Sequence, residues 1–364
     1  MIHRERLVAL GWDPNWSQAF EPYKGEENIP ARIAREEKEL YLVYSEQGEF
    51  SAEVTGKFRH EARLRSDFPV VGDWVAVQPL LGEERAMIHA LLPRRTKFSR
   101  KVAWVHTEEQ VIAANVDTVF LMTGLDQNFN LRRIERYLVL ACESGARPII
   151  VLNKADLCPD VCERVAAVRG IAFDVPVHPI SAMEGQGLEA LAPYLVPFKT
   201  IALLGSSGVG KSTLINTLLG EERQDVGAVR EGDGRGRHIT SRRELIPLPS
   251  KTLLIDNPGM REIQMWGDEE GLSGAFEDIA VLASHCRYRD CQHESEQGCA
   301  VREALETGAL DQGRFKSYLK LQRELRFLAL RQDQKHRLAE KAKGKMIARW
   351  QKEFKKIKHK GEYA

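Results

Sequence analysis

The order of two short segments constrains this chain more than anything else in it: Asn153-Lys154-Ala155-Asp156 comes before Gly205-Ser206-Ser207-Gly208-Val209-Gly210-Lys211-Ser212. The second segment has the glycine, glycine-lysine-serine spacing of a phosphate-binding loop. It follows an apolar run, Thr200-Ile201-Ala202-Leu203-Leu204, that reads as a buried strand. It precedes Thr213-Leu214-Ile215-Asn216-Thr217-Leu218-Leu219, which reads as a helix. In that setting the glycines let backbone N–H groups wrap a β-phosphate, and the helix N-terminus adds partial positive charge. Gly205 through Thr213 are therefore candidate phosphate contacts. Lys211 is expected to reach the β- and γ-phosphates, and the Ser212 hydroxyl to bind Mg²⁺.

The first segment ends a second apolar run, Pro148-Ile149-Ile150-Val151-Leu152. A carboxylate at Asp156 can accept hydrogen bonds from both N1–H and the exocyclic amine of guanine. Adenine lacks the N1–H and would leave a buried acceptor unpaired. Lys154 is expected along the base plane, and Asn153 is expected to tie this segment to the phosphate loop. One strand later, Ser181-Ala182 stands before Gly185-Gln186-Gly187-Leu188 and can offer a backbone N–H to guanine O6. In ordinary GTPases the phosphate loop comes first. The inversion therefore reads as an α/β phosphate-loop GTPase domain that has been circularly permuted.

Further along, Leu253-Leu254-Ile255-Asp256-Asn257-Pro258-Gly259 is an apolar strand ending in Asp-x-Pro-Gly. Asp256 is expected to hold Mg²⁺ through water, and the Gly259 N–H to sense the γ-phosphate. Between the two lies Gly232-Asp233-Gly234-Arg235-Gly236-Arg237-His238-Ile239-Thr240-Ser241, a glycine-rich stretch suited to a switch ordered by nucleotide. Thr240 is the preferred second Mg²⁺ hydroxyl, with Ser241 the alternative. Many GTPases position water with a glutamine after the Asp-x-x-Gly element; here that place holds Met260, which can neither orient water nor take a proton. His238 has the chemistry for it, contact with RNA or solvent being its other reading.

The chain has six cysteines. Cys142, in a helical apolar stretch, is expected in the core. Cys286, Cys291, His293 and Cys299 cluster in a short polar stretch, and three thiolates with one imidazole suit a closed, tetrahedral structural Zn²⁺ site. A redox role would not need His293.

These segments, with Ala113-Ala114-Asn115-Val116-Asp117 and Asn130-Leu131-Arg132-Arg133-Ile134-Glu135-Arg136-Tyr137-Leu138, resemble the circularly permuted, ribosome-small-subunit-dependent GTPases, the RsgA, YjeQ or EngC type. The likeness covers most of the chain, the cysteine cluster included. It implies GTP hydrolysis stimulated by the small (30S) ribosomal subunit during its late maturation, with that subunit and its rRNA as partners. Two departures bear on switch dynamics and hydrolysis rate. The family commonly runs several threonines after the switch histidine, where this chain reads His238-Ile239-Thr240-Ser241. It usually has threonine or serine where this chain has Asn257. An RNA-binding assembly factor using GTP occupancy as a ligand switch, with hydrolysis incidental, is the competing reading.

Short strands separated by Gly48, Gly56, Gly72 and Gly82 predict a small OB-type barrel before the GTPase: Leu40–Tyr44, Glu49–Val54, Asp73–Val77 and Ala86–Leu92. Lys57 to Arg65 reads as a basic loop suited to RNA, or as an ordinary solvated one. Arg94, Arg95, Lys97, Arg100 and Lys101 form a second basic cluster. Val301 to Leu330 reads as helical with an apolar stripe through Phe315, Tyr318, Leu319, Leu325 and Leu328. From Leu338 to Ile357 a basic amphipathic helix is expected on rRNA, a solvated tail being the alternative. The expected division is an unassigned extension over 1–29, the barrel over 30–98, the GTPase over 99–275, a zinc-binding, mainly helical domain over 276–330 and the tail over 331–364. Net charge is +1 across 364 residues, so any RNA contact must come from local patches. With neither an apolar run of membrane-spanning length nor a signal-peptide pattern, a cytoplasmic monomer with no membrane partner is expected.

Overall fold

The computed structural model describes residues 2–25, 27–37, 40–101, 109–172, 174–221, 243–256 and 269–330. The expected switch over 232–241, the Asn257–Met260 segment and the basic tail lie outside those residues. The chain opens with two short helices, α1 (Ile2–Ala9) and α2 (Pro14–Phe20). The α2 start is encoded locally: the Asp13 carboxylate accepts from the Asn15 and Trp16 N–H groups, and Pro14 occupies the first turn. Leu7, Trp16 and Phe20 pack with Trp74 of the barrel, and the Trp12 ring meets Trp74 edge-on at 4.7 Å. The extension left unassigned by sequence is thus a hydrophobic cover.

The barrel runs through β1 (Ile29–Glu37), β2 (Leu40–Ser45), β3 (Gly48–Val54), helix α3 (Gly56–Glu61), β4 (Trp74–Pro79) and β5 (Arg85–Leu91). Neighbours follow the order β1-β2-β3-β5-β4, and a β1–β4 pairing closes the ring. Closure removes the exposed edges that an open five-stranded sheet would present. Strand β1 was missed in the sequence reading. Its signal is the alternation of Ile29, Ala31 and Ile33, which point into the barrel core with Val43, Ala52, Val75 and Ile88. The basic stretch from Lys57 to Arg65 is not a plain loop, as expected, but begins as α3. Thr55 Oγ1 caps that helix by accepting from the Phe58 N–H at 3.1 Å. Phe58 turns inward against Phe68, while Lys57, Arg59, His60, Arg63 and Arg65 are exposed.

A hairpin of β6 (Lys97–Lys101) and β7 (Glu109–Ala114) leads out of the barrel. Here the expected basic cluster largely dissolves into ion pairs. Arg94 meets the buried Asp73 carboxylate at 2.7 Å, Arg95 meets Asp13 at 2.6 Å, and Lys97 meets Glu109 at 2.6 Å.

The second sheet contains β8 (Thr118–Gly124), β9 (Arg147–Asn153), β10 (Val177–Pro179), β11 (Thr200–Gly205), β12 (Glu244–Pro247) and β13 (Leu253–Asp256). Helices α4 (Leu131–Ser144), α5 (Val161–Arg169) and α6 (Lys211–Leu219) lie between strands in sequence. Spatial order is β10-β9-β8-β11-β13-β12, parallel except for β12. Both faces are covered, which is why these strands read as unbroken apolar runs. Val119, Leu121, Ile150 and Leu152 face the core shared with α4, while Phe120, Met122, Ile149 and Val151 face the α6 side. A single pair, Arg35 with Glu244, joins β1 to β12 and makes the barrel and this sheet continuous.

Helices α7 (Glu269–Ala275), α8 (Glu277–Ser284) and α9 (Ala300–Thr307), then a helix over 312–330, complete the described chain. The helix expected from Val301 to Leu330 is broken at Gly308, whose φ of +74° caps α9. Leu325 and Leu328 are buried and Phe315 and Tyr318 pack against the same core as α4, so the predicted stripe serves packing. Cys142, expected in the core, is exposed on α4. Among the described residues no helix is long and apolar enough to cross a membrane.

Candidate functional site

The C-terminal ends of β9, β11 and β13 deliver Asn153, Gly205 and Asp256 to one edge of the sheet, where open α/β sheets form their binding crevice. The phosphate loop leaves β11 and enters α6 at Gly210, with Gly208 and Gly210 at φ of +79° and +95°. A Cβ on Gly210 would stand 2.2 Å from Asn153 Nδ2, so this glycine is required by close approach as well as by its backbone angle. Asn153 is 3% exposed. Its Nδ2 donates to Val209 O at 2.8 Å, and its Oδ1 accepts from the Ala182 N–H at 2.9 Å. One carboxamide therefore lashes together three segments far apart in the chain, with both its donor and its acceptor in use.

The same bond occupies one of the groups expected to meet the base. The Ala182 N–H is given to Asn153, and the Ser181 N–H to Gln186 O at 2.9 Å, so neither is free for a guanine O6 in this conformation. Lys154, at φ +65°, pairs with Asp126 at 2.7 Å, and Asp156 is exposed on the turn Ala155–Leu157. Burial pushes the Asp126 carboxyl up, but Lys154 and the Asn128 N–H outweigh it and hold it below the usual range. Asp126 was missed by sequence reasoning; a lone Asp after an apolar strand carries too little signal.

At the other end, Lys211 is 9% exposed and folds back so that its Nζ donates to Gly205 O and Ser206 O at 2.8 and 2.9 Å. Burial pushes its ammonium down to about 8, against the pull of Asp256, which lies 2% exposed at the end of β13. Ser206 is buried, Ser207, Ser212 and Thr213 are half-buried, and Gly208 is exposed. His238, Thr240 and Gly259 lie outside the described residues.

Cys286, Cys291, His293 and Cys299 form a second constellation, with their ligand atoms all within 4.8 Å of one another. Cys286 Sγ lies 3.8 Å from Cys299 Sγ, and His293 Nδ1 lies 3.6 and 3.4 Å from those two sulfurs. His293 reaches this position at φ +62°. Cys299 caps α9, its sulfur accepting from the Arg302 N–H at 3.4 Å. Between Cys291 and Cys299, the Glu296 carboxylate accepts from the N–H groups of Gln292, Glu294 and Ser295, and these backbone bonds hold it down to about 2. Cys286, Cys291, His293 and Cys299 can hold a metal ion.

Residues 91–266 match the RsgA GTPase family model. The chain is 48% identical over 369 residues to the small ribosomal subunit biogenesis GTPase RsgA of Opitutus terrae, covering 98% of this chain and 100% of that one. The crystal structure of YjeQ from Thermotoga maritima matches with a TM-score of 0.61 at 26% identity, over 82% of this chain and 98% of that one. The crystal structure of YloQ, a circularly permuted GTPase, shares the fold with a TM-score of 0.59 at 24% identity, over 86% of this chain and 98% of that one. Likeness that runs the full length of a relative, through barrel, permuted sheet and cysteine module alike, leaves no room for a borrowed domain: the chain belongs to the RsgA GTPase family.

Proposed function

We propose that this chain hydrolyses GTP to GDP and phosphate, stimulated by the small ribosomal subunit, and couples nucleotide state to binding and release of that subunit late in its maturation. The observation that carries the reading is Asn153, whose side chain joins the phosphate loop to the Ser181-Ala182 segment beside Lys154 and Asp156. A base reader and a phosphate cradle thereby form one site despite their inverted order. Asp156 would accept from guanine N1–H and its amine, Lys154 would lie along the base, and Gly205 to Thr213 would donate to the phosphates. Release of Ala182 by Asn153 would accompany any contact with O6. Lys211 would exchange its two carbonyls for phosphate oxygens, a favourable trade for a desolvated ammonium.

Ser212, Thr240 and Asp256 would hold Mg²⁺, which when bound offsets charge between the β- and γ-phosphates. With Met260 in place of a glutamine, His238 is left to position water, so turnover by the isolated chain is expected to be slow. Zn²⁺ suits the cysteine module: bonds of about 2.3 Å to sulfur and about 2.0 Å to nitrogen give tetrahedral edges of about 3.8 and 3.5 Å, close to the spacings there. With four protein ligands the role is structural. The exposed basic residues of α3 and the turn after it offer an rRNA contact.

The test is GTP turnover with and without purified small subunits. Strong stimulation is expected. Tight GTP-dependent docking without stimulation would favour a ligand switch instead, and Lys211→Ala with normal turnover would refute the phosphate-loop assignment.

A further inference from the structure

Ser206 is approached by positive charge from two sides. Its carbonyl accepts from Lys211 Nζ at 2.9 Å, and its hydroxyl accepts from Arg133 Nη1 at 3.3 Å. Arg133 belongs to the first turn of α4, where its own N–H is capped by Asn130 Oδ1 at 3.1 Å. Its guanidinium also donates to Asn128 O at 3.3 Å. Among the described residues no carboxylate pairs with it, although its neighbours Arg132 and Arg136 pair with Glu135 and Glu324. A half-buried cation held only by neutral oxygens is poorly compensated, and an anion is what would complete it.

Its location says which anion. Lys154 and Asp156 mark the base end of the crevice, whereas Arg133 converges with Lys211 on a single residue of the phosphate loop. Lys211 is the residue expected to reach the β- and γ-phosphates, so a second cation on Ser206 adds to the charge that would meet them. We propose that Arg133 is a positioning residue for the terminal phosphate: it fixes Ser206 and adds positive charge that favours a nucleoside triphosphate over the diphosphate. The proposal rests on the nucleotide reading above.

The experiment measures affinity of the full chain for GDP and for a non-hydrolysable GTP analogue, in wild type, Arg133→Ala and Arg133→Lys. For Arg133→Ala, loss of one charge-assisted contact predicts analogue binding weaker by about tenfold, with GDP affinity unchanged within about twofold. Arg133→Lys keeps the charge and is expected to fall between the two, which also guards against a loosened fold in the alanine variant. Equal losses for both nucleotides would mean that Arg133 only supports the loop and would overturn the proposal, as would no loss at all. A wild-type chain that bound no GDP would instead sink the nucleotide reading itself.

Discussion

Two arginines are buried at the two seams of this molecule, and they are satisfied in opposite ways. Arg314, from the C-terminal helix, donates to both Asp278 oxygens at 2.6 Å, to Glu135 Oε1 at 3.4 Å and to Ile171 O at 3.1 Å. Arg32, on β1, donates to Thr200 Oγ1 at 2.8 Å and to the carbonyls of Leu10, Gly72 and Asn115, with no carboxylate in contact among the described residues. Burial pushes Arg32 down to about 10, with Asp117 and Asp73 opposing from a distance. Arg314 sits in an ion-pair network, Arg32 in a clamp of neutral acceptors. Their addresses differ too. Arg314 grips α4, the helix that brings Arg133 to the phosphate loop, whereas Arg32 joins β1 to Asn115 and Thr200 at the opposite ends of β8 and β11.

Three substitutions break or sharpen this contrast. Arg314→Ala strips Asp278 of both its guanidinium bonds and leaves the buried Glu135 with Arg132 alone, and removing one partner of a buried pair is expected to cost about 3–5 kcal/mol. Chemical denaturation would measure it, and Asp278→Asn in the same chain should recover part of the loss. Arg32→Met leaves only uncharged acceptors behind, so a loss of about 1–3 kcal/mol is expected. If it matched the Arg314 variant in the same denaturation experiment, the distinction between ionic and neutral seams would fall.

The smallest effect belongs to Arg95, whose pair with Asp13 is partly exposed and whose guanidinium lies 4.1 Å from the Trp16 ring centre. Arg95→Ala should cost less than about 1 kcal/mol at neutral pH. The Asp13 carboxyl is held below its ordinary 3.8, chiefly by the bond from Arg95 and against its partial burial. A depressed carboxylate stabilises the fold above its unfolded value and loses that contribution as pH falls through the folded one. The difference between wild type and Arg95→Ala should therefore shrink below about pH 4, followed by thermal melts across that range.

Much of the architecture was legible because its elements repeat a strong local signal. The apolar runs ending at Leu152, Leu204 and Asp256 became β9, β11 and β13, and the spacing of Cys286, Cys291, His293 and Cys299 became a single cluster of ligand atoms. What sequence missed depends on partners distant in the chain. Strand β1 carries a buried arginine and two more polar turns of its pattern, so its alternation was masked until the barrel closed around it. Lys154 finds Asp126, and Arg314 finds Glu135, across separations that no window along the chain can see. The basic cluster at Arg94 to Lys101 failed for the same reason, since composition counts charges without their counter-charges. The Ala182 N–H went to Asn153 because the residue that ties the loops together needs an acceptor's partner as well as a donor's.

Strand β1 carries both the Arg32 clamp and the solitary rung from Arg35 to Glu244. Both contacts put β1 between the barrel and the second sheet. Glu244 stands three residues beyond the glycine-rich stretch that sequence marks as the nucleotide-ordered switch, so a displacement of the barrel carried by β1 would reach the chain there. A grip on RNA at one extremity would then be felt as tension on the chain entering the other.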